Sequence, residues 1–80
     1  MNYMDYIVRD PHVCGGEPVM KGTRVLLKTV LWSLAEGDSI EEILGSFPTL
    51  TEESIRAAIA FAAASAAEDL PVKPLPGALL

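Results

Sequence analysis

The sequence predicts a mainly α fold: a three-helix, helix-turn-helix-like core preceded by short N-terminal β strands. Three observations predict it. Apolar residues recur at helical spacing in three stretches between residues 27 and 69. Each stretch opens or closes on a capping or breaking residue. Gly and Pro concentrate before the helices, in residues 11–22, and again beyond Leu70. A chain of 80 residues makes one small domain. It divides into a strand-and-turn arm (1–25), three helices (26–69) and a Pro-rich extended tail (70–80).

Tyr6-Ile7-Val8 favours a strand. Asp10-Pro11 opens a turn, because Pro restricts both its own φ and the residue before it. Pro18-Val19-Met20 and Thr23-Arg24-Val25 flank Lys21-Gly22 and read as a tight hairpin. Strands this short must pair with each other or with another chain, and pairing within a dimer is expected. The first helix runs from about Leu27 to Glu36, with Leu27, Val30, Leu31 and Leu34 on one face and Gly37 placed to end it. The second runs from about Ile40 to Ser46. Ser39 and Glu42 supply a capping box and Pro48 stops it. The third runs from about Glu52 to Asp69. Thr51 caps it, Leu50 and Ile55 form a hydrophobic staple, and Glu52 and Glu53 sit at its positive end. Ile55, Ile59, Ala62 and Ala66 fill one face of it. Two short helices after a longer one suggest a helix-turn-helix unit, with the Glu52 helix in the recognition position.

Composition excludes several classes. Half the residues are hydrophobic, too many for a wholly disordered chain. One cysteine cannot staple a disulfide scaffold. No apolar run is long enough to span a bilayer, and acids stand where a signal peptide needs a basic start. A cytoplasmic location is expected. The net charge of −5 is uneven. Residues 1–28 carry four cations against three acids, whereas residues 29–80 carry two against eight. Most of the chain therefore repels a phosphate backbone, and any nucleic-acid contact falls to Lys21, Arg24, Lys28 and Arg56.

Three blocks carry a family likeness: Pro11 to Arg24, Gly37 to Leu44, and Phe47 to Glu53 continuing into Ile55-Arg56-Ala57-Ala58. Together they resemble a bacterial family catalogued as domain of unknown function 433, over about residues 6 to 66. Leu26 stands where many members have Pro, and Ser54 where many have an acid. The resemblance implies a homeodomain-like three-helix core. It also implies a function, because some members are regarded as VapB-type antitoxins paired with a small PIN-like ribonuclease. The expected activity is neutralisation of such a toxin, with autoregulation of the operon. The alternatives are a stand-alone helix-turn-helix DNA-binding regulator and a homo-oligomeric adaptor.

Candidate residues follow from chemistry. The third helix is apolar around nearly its whole circumference, which points to burial on more than one side. Ile59, Ala62, Ala63 and Ala66 are therefore candidates for a homodimer interface, with Tyr6 and Val8 from the first strand. In the tail, Leu70, Val72, Lys73 and Leu75 are candidates for partner binding. Arg24 either pairs with Asp10 or Glu17 to hold the hairpin, or reaches a partner. Arg24 or Lys73 would compete with metal ions at a nuclease's carboxylate cluster. Trp32 lies off the Leu27–Leu34 line, on a second core face or an interface. Asp10, His12 and Cys14 alternate as metal ligands would on a strand, but zinc sites show paired Cys or His spacings. No metal, cofactor or catalytic residue is expected, and no phosphate loop fits Gly15-Gly16…Gly22-Thr23-Arg24. The protein is expected not to be an enzyme.

Overall fold

The computed structural model describes residues 2–69. Two strands, β1 (Ile7–Arg9) and β2 (Pro18–Met20), form an antiparallel pair, with Ile7 opposite Met20, Val8 opposite Val19 and Arg9 opposite Pro18. Three helices follow: α1 (Leu27–Ala35), α2 (Ile40–Ser46) and α3 (Glu52–Asp69). Single 3₁₀ turns cover Tyr3–Asp5 and Cys14–Gly16. The fold is thus mainly helical with a small N-terminal hairpin, as the sequence predicts.

The hairpin pairs differently from the expected one. Thr23-Arg24-Val25 forms no strand against Pro18-Val19-Met20. Instead β2 pairs with β1, and only an isolated bridge links Val19 to Leu26. The cause is local. Lys21-Gly22 makes the expected turn, closed by the Thr23 N–H donating to Met20 O at 3.0 Å, with Gly22 at φ +78°. The Thr23 hydroxyl then donates to Met20 O at 2.7 Å and accepts from the Val25 N–H at 3.0 Å. Leu26 is already the N-cap of α1, so no residues remain to extend a ladder.

The helix ends are built by the expected residues. At the end of α1 the Gly37 N–H donates to Leu34 O and the Asp38 N–H to Ser33 O, both at 3.0 Å. This is a Schellman closure, and it needs the φ of +100° that Gly37 adopts. The Ser39 hydroxyl accepts from the Glu42 N–H at 3.1 Å, while the Ser39 N–H donates to Glu42 Oε1 at 3.0 Å. The α3 cap is a box with an unusual partner. The Ser54 N–H donates to Thr51 Oγ1 at 3.1 Å and the Thr51 N–H donates to Ser54 Oγ at 3.0 Å. A short hydroxyl serves there because Ser54 is buried beside the cap and also donates to Thr51 O.

Ser39→Ala should cost about 1 kcal/mol of stability, the usual worth of such a cap. Urea unfolding followed by circular dichroism checks it. The cap also has a pH signature. The Ser39 backbone N–H, and then its hydroxyl, hold the Glu42 carboxyl below its ordinary range. A lowered folded-state pKa gives stability that is present above the unfolded value and lost as pH falls through the folded one. The variant keeps the backbone N–H and loses only the hydroxyl, so the acid limb of its stability profile should be slightly shallower.

The core sits where β2 and the three helices meet. Met20, Leu27, Val30, Ile43, Leu50, Ile55 and Ala58 are buried there, with Ile7, Leu34, Ile40, Leu44 and Phe47 packed around them. In α3 the buried line is Ser54, Ile55, Ala57 and Ala58. Ile59 does not share the face of Ile55. It is 43% exposed, against 0% for Ile55, because α3 packs on one side only among the described residues. No helix of the described residues is long and apolar enough to cross a membrane.

Candidate interaction surface

The most unusual surface begins on α1. Leu27 and Val30 are buried in the core, while Lys28, Trp32 and Ala35 are exposed, with half-buried Leu31 at helical spacing beside them. These four line one shallow depression. Trp32 is 66% exposed, so it is not a second core face. Lys28 and Leu31 also line a second depression, with Pro18, Leu27 and Phe61. Pro18 and Phe61 continue into a third, beside Tyr3, Met4 and Val8. Shared walls join the three into one apolar band from α1, across the start of β2 and the middle of α3, to the N-terminal turn. Met4 ends it at 69% exposed. Tyr3 and Phe61 meet edge to face, 5.5 Å between centroids, and brace its floor.

The strand-and-turn arm is tied to the helices at two points. The Tyr6 hydroxyl donates to Glu53 Oε2 at 2.8 Å, joining the residue just before β1 to the start of α3. That bond and the Glu53 charge push the Tyr6 phenol above its ordinary pKa. Its contribution to stability is therefore present below the ordinary phenol value and lost as pH rises through the raised one. Lys28 Nζ meets Glu17 Oε1 at 3.0 Å, at a surface exposure where such pairs contribute at most about 1 kcal/mol.

Arg24 does not hold the hairpin. Glu17 pairs with Lys28, and Asp10 Oδ1 accepts from the His12 N–H. The Arg24 side chain has no hydrogen bond or ion pair with the described residues, and only its carbonyl is used, by Cys14 Sγ at 3.5 Å. The guanidinium that braces the loop is that of Arg9, donating to Gly16 O at 3.1 Å. Cys14, Gly15 and Gly16 all adopt positive φ, a conformation in which the two glycines are unstrained. Asp10, His12 and Cys14 do not converge: no group of three or more His, Cys, Asp or Glu among the described residues is arranged to hold a metal ion.

The other predicted residues fall in separate places. Lys21 and Arg24 are exposed on the turn after β2. Lys28 is held by Glu17, and Arg56 by Glu52 at 3.2 Å. Ile59, Ala63 and Ala66 lie exposed along α3, while Ala62 is half-buried. Tyr6 and Val8 are half-buried, and β1 pairs with β2 within the chain, the first of the two pairings the short strands allow. Its outer edge has no partner strand among the described residues. Leu70, Val72, Lys73 and Leu75 lie outside the described residues. Sequence reasoning missed Ala35, Pro18, Phe61 and Met4 as part of this surface, and Leu31, placed on the core line, both packs on the core and lines the depressions. The 28/31/32/35 spacing was a usable signal, but the meeting of Tyr3 with Phe61 was not.

These features define a small three-helix module with an N-terminal hairpin and an exposed apolar band. The family described as "Protein of unknown function (DUF433)" matches residues 7–62, and the chain belongs to that family. It is 39% identical over 61 residues to the uncharacterized protein y4eO of Sinorhizobium fredii (strain NBRC 101917 / NGR234). That match covers 76% of this chain but only 28% of y4eO. The crystal structure of a DUF433 member protein from Anabaena variabilis ATCC 29413 has the same fold, with a TM-score of 0.69 at 28% identity. It is matched over 79% of this chain and 62% of its own.

Proposed function

We propose that this protein is an antitoxin-like binding module, not an enzyme, that neutralises a small PIN-like ribonuclease in the cytoplasm. The observation that carries the proposal is the apolar band from Trp32 to Met4. Exposed aromatic and aliphatic side chains gathered in one strip mark protein-binding surfaces. The nuclease is proposed as the partner by analogy with those members of the family regarded as VapB-type antitoxins.

On this reading the tail residues Leu70, Val72, Lys73 and Leu75 extend the contact. Arg24, uncommitted within the described residues, is a cation that competes for the nuclease's metal-binding carboxylates. Ile59, Ala63 and Ala66 form the self-association face of a homodimer. DNA is contacted only as part of the complex, because Lys28 and Arg56 already have acidic partners and the chain carries −5. A native pull-down with mass spectrometry tests the proposal. A stoichiometric small protein with a carboxylate-rich active site is the expected outcome. Recovery of the protein alone, with salt-sensitive binding to its own promoter, would favour a stand-alone regulator instead.

A further inference from the structure

We propose that the outer edge of β1 pairs antiparallel with the same edge of a second copy of this chain, about a two-fold axis at Val8. This rests on the homodimer within the proposed function, and it names the strand that joins the two copies. The hydrogen-bond phase of the hairpin fixes what that edge offers. In an antiparallel pair, successive residues direct their N–H and C=O alternately toward and away from the partner strand. The Lys21 N–H donates to Tyr6 O at 2.8 Å, so Tyr6, and with it Val8, bonds inward to β2. Ile7 and Arg9 therefore turn both backbone groups outward, where no strand lies among the described residues. The ladder runs without a bulge, and Ile7-Val8-Arg9 has neither the Pro nor the Lys that commonly blunts an open edge. Two strands of three residues are also too few for a stable sheet, whereas the proposed pairing gives four, in the order β2-β1-β1-β2.

A second copy matches this edge in pattern and in charge. With Val8 opposite its own counterpart, Ile7 of each copy stands opposite Arg9 of the other, and each such pair exchanges two backbone hydrogen bonds. Arg9 of one copy then falls two residues from Asp5 of the other, once on each side of the axis. Both residues are exposed, and neither side chain is in an ion pair among the described residues. The acidic excess that would hold two copies apart lies in residues 29–80, while residues 1–28 carry four cations against three acids.

Amide hydrogen exchange of the full chain, read by NMR at millimolar and at micromolar concentration, tests the pairing residue by residue. The Val8 amide should be protected at both concentrations. The Ile7 and Arg9 amides should be protected at the higher one and exchange at least about tenfold faster on dilution. A second measurement uses the full chain with a methyl group on the Arg9 backbone nitrogen, assembled by ligating residues 1–13 to 14–80 at Cys14. That group removes one outward donor from each copy and keeps the side chain. Self-association measured by sedimentation should weaken at least about tenfold, with unchanged far-UV circular dichroism. Ile7 and Arg9 amides that exchange freely at both concentrations overturn the inference, and in a protein that is still dimeric they leave self-association to α3. Protection of the two amides in a protein that sediments as a monomer also overturns it, by placing another segment of the same chain on the edge. Where the dimer survives dilution, unchanged association of the methylated chain overturns it. The nuclease takes no part, so a failed pull-down leaves this result standing.

Discussion

Ile55→Ala should lower the folding free energy by about 3 kcal/mol, within the range for truncating a fully buried aliphatic side chain. Ile55 is completely buried where α3 meets the rest of the core, and it also forms the inner half of the staple with Leu50. Domains of this size have about 4–12 kcal/mol in total, so the loss takes a large share of the stability. Urea unfolding should show a much lower midpoint at an unchanged slope. Ile59→Ala is the matched control. Its side chain is 43% exposed, and the change should cost well under half as much. Equal losses at the two positions would mean that the Ile55 and Ile59 faces are both covered, as in a dimer packed through α3.

Trp32→Asp should weaken nuclease binding by at least about 30-fold, the effect of removing a tryptophan anchor worth 2 kcal/mol. The same change should leave stability within about 0.5 kcal/mol, because Trp32 is mostly exposed. Titration calorimetry against the captured nuclease measures the first quantity, and urea unfolding the second. Unchanged affinity would remove α1 from the partner surface. A Leu31→Asp variant probes the same band one position away, but Leu31 packs partly on the core, so some loss of stability is expected there.

Local physics made most of the fold legible. Ser39 with Glu42, Gly37, Thr51 and the Leu50–Ile55 staple act within one or two turns of chain, and each forms as its spacing implies. Strand pairing is non-local and was harder to read. Thr23 satisfies by its side chain the groups that a second ladder would have used, so β2 turned to β1 instead. The periodicity of α3 was ambiguous because its alanines are apolar without being large. Only tertiary packing, which puts Ala58 in one cluster with Met20, Ile43 and Leu50, picks Ala58 over Ile59 as the buried position. The band was half legible. Its α1 stripe is written in the 28/31/32/35 spacing, while Met4, Pro18 and Phe61 join it through tertiary contacts. Arg24 illustrates the limit. Its neighbours allowed a pairing that Lys28 and Arg9 made unnecessary.

The most direct test of the central claim is to titrate the purified protein into the captured nuclease and follow RNA cleavage. The account predicts that activity falls to zero at a stoichiometric ratio, and that Trp32→Asp shifts the endpoint to a large excess. Cleavage that continues undiminished at saturating protein would contradict it.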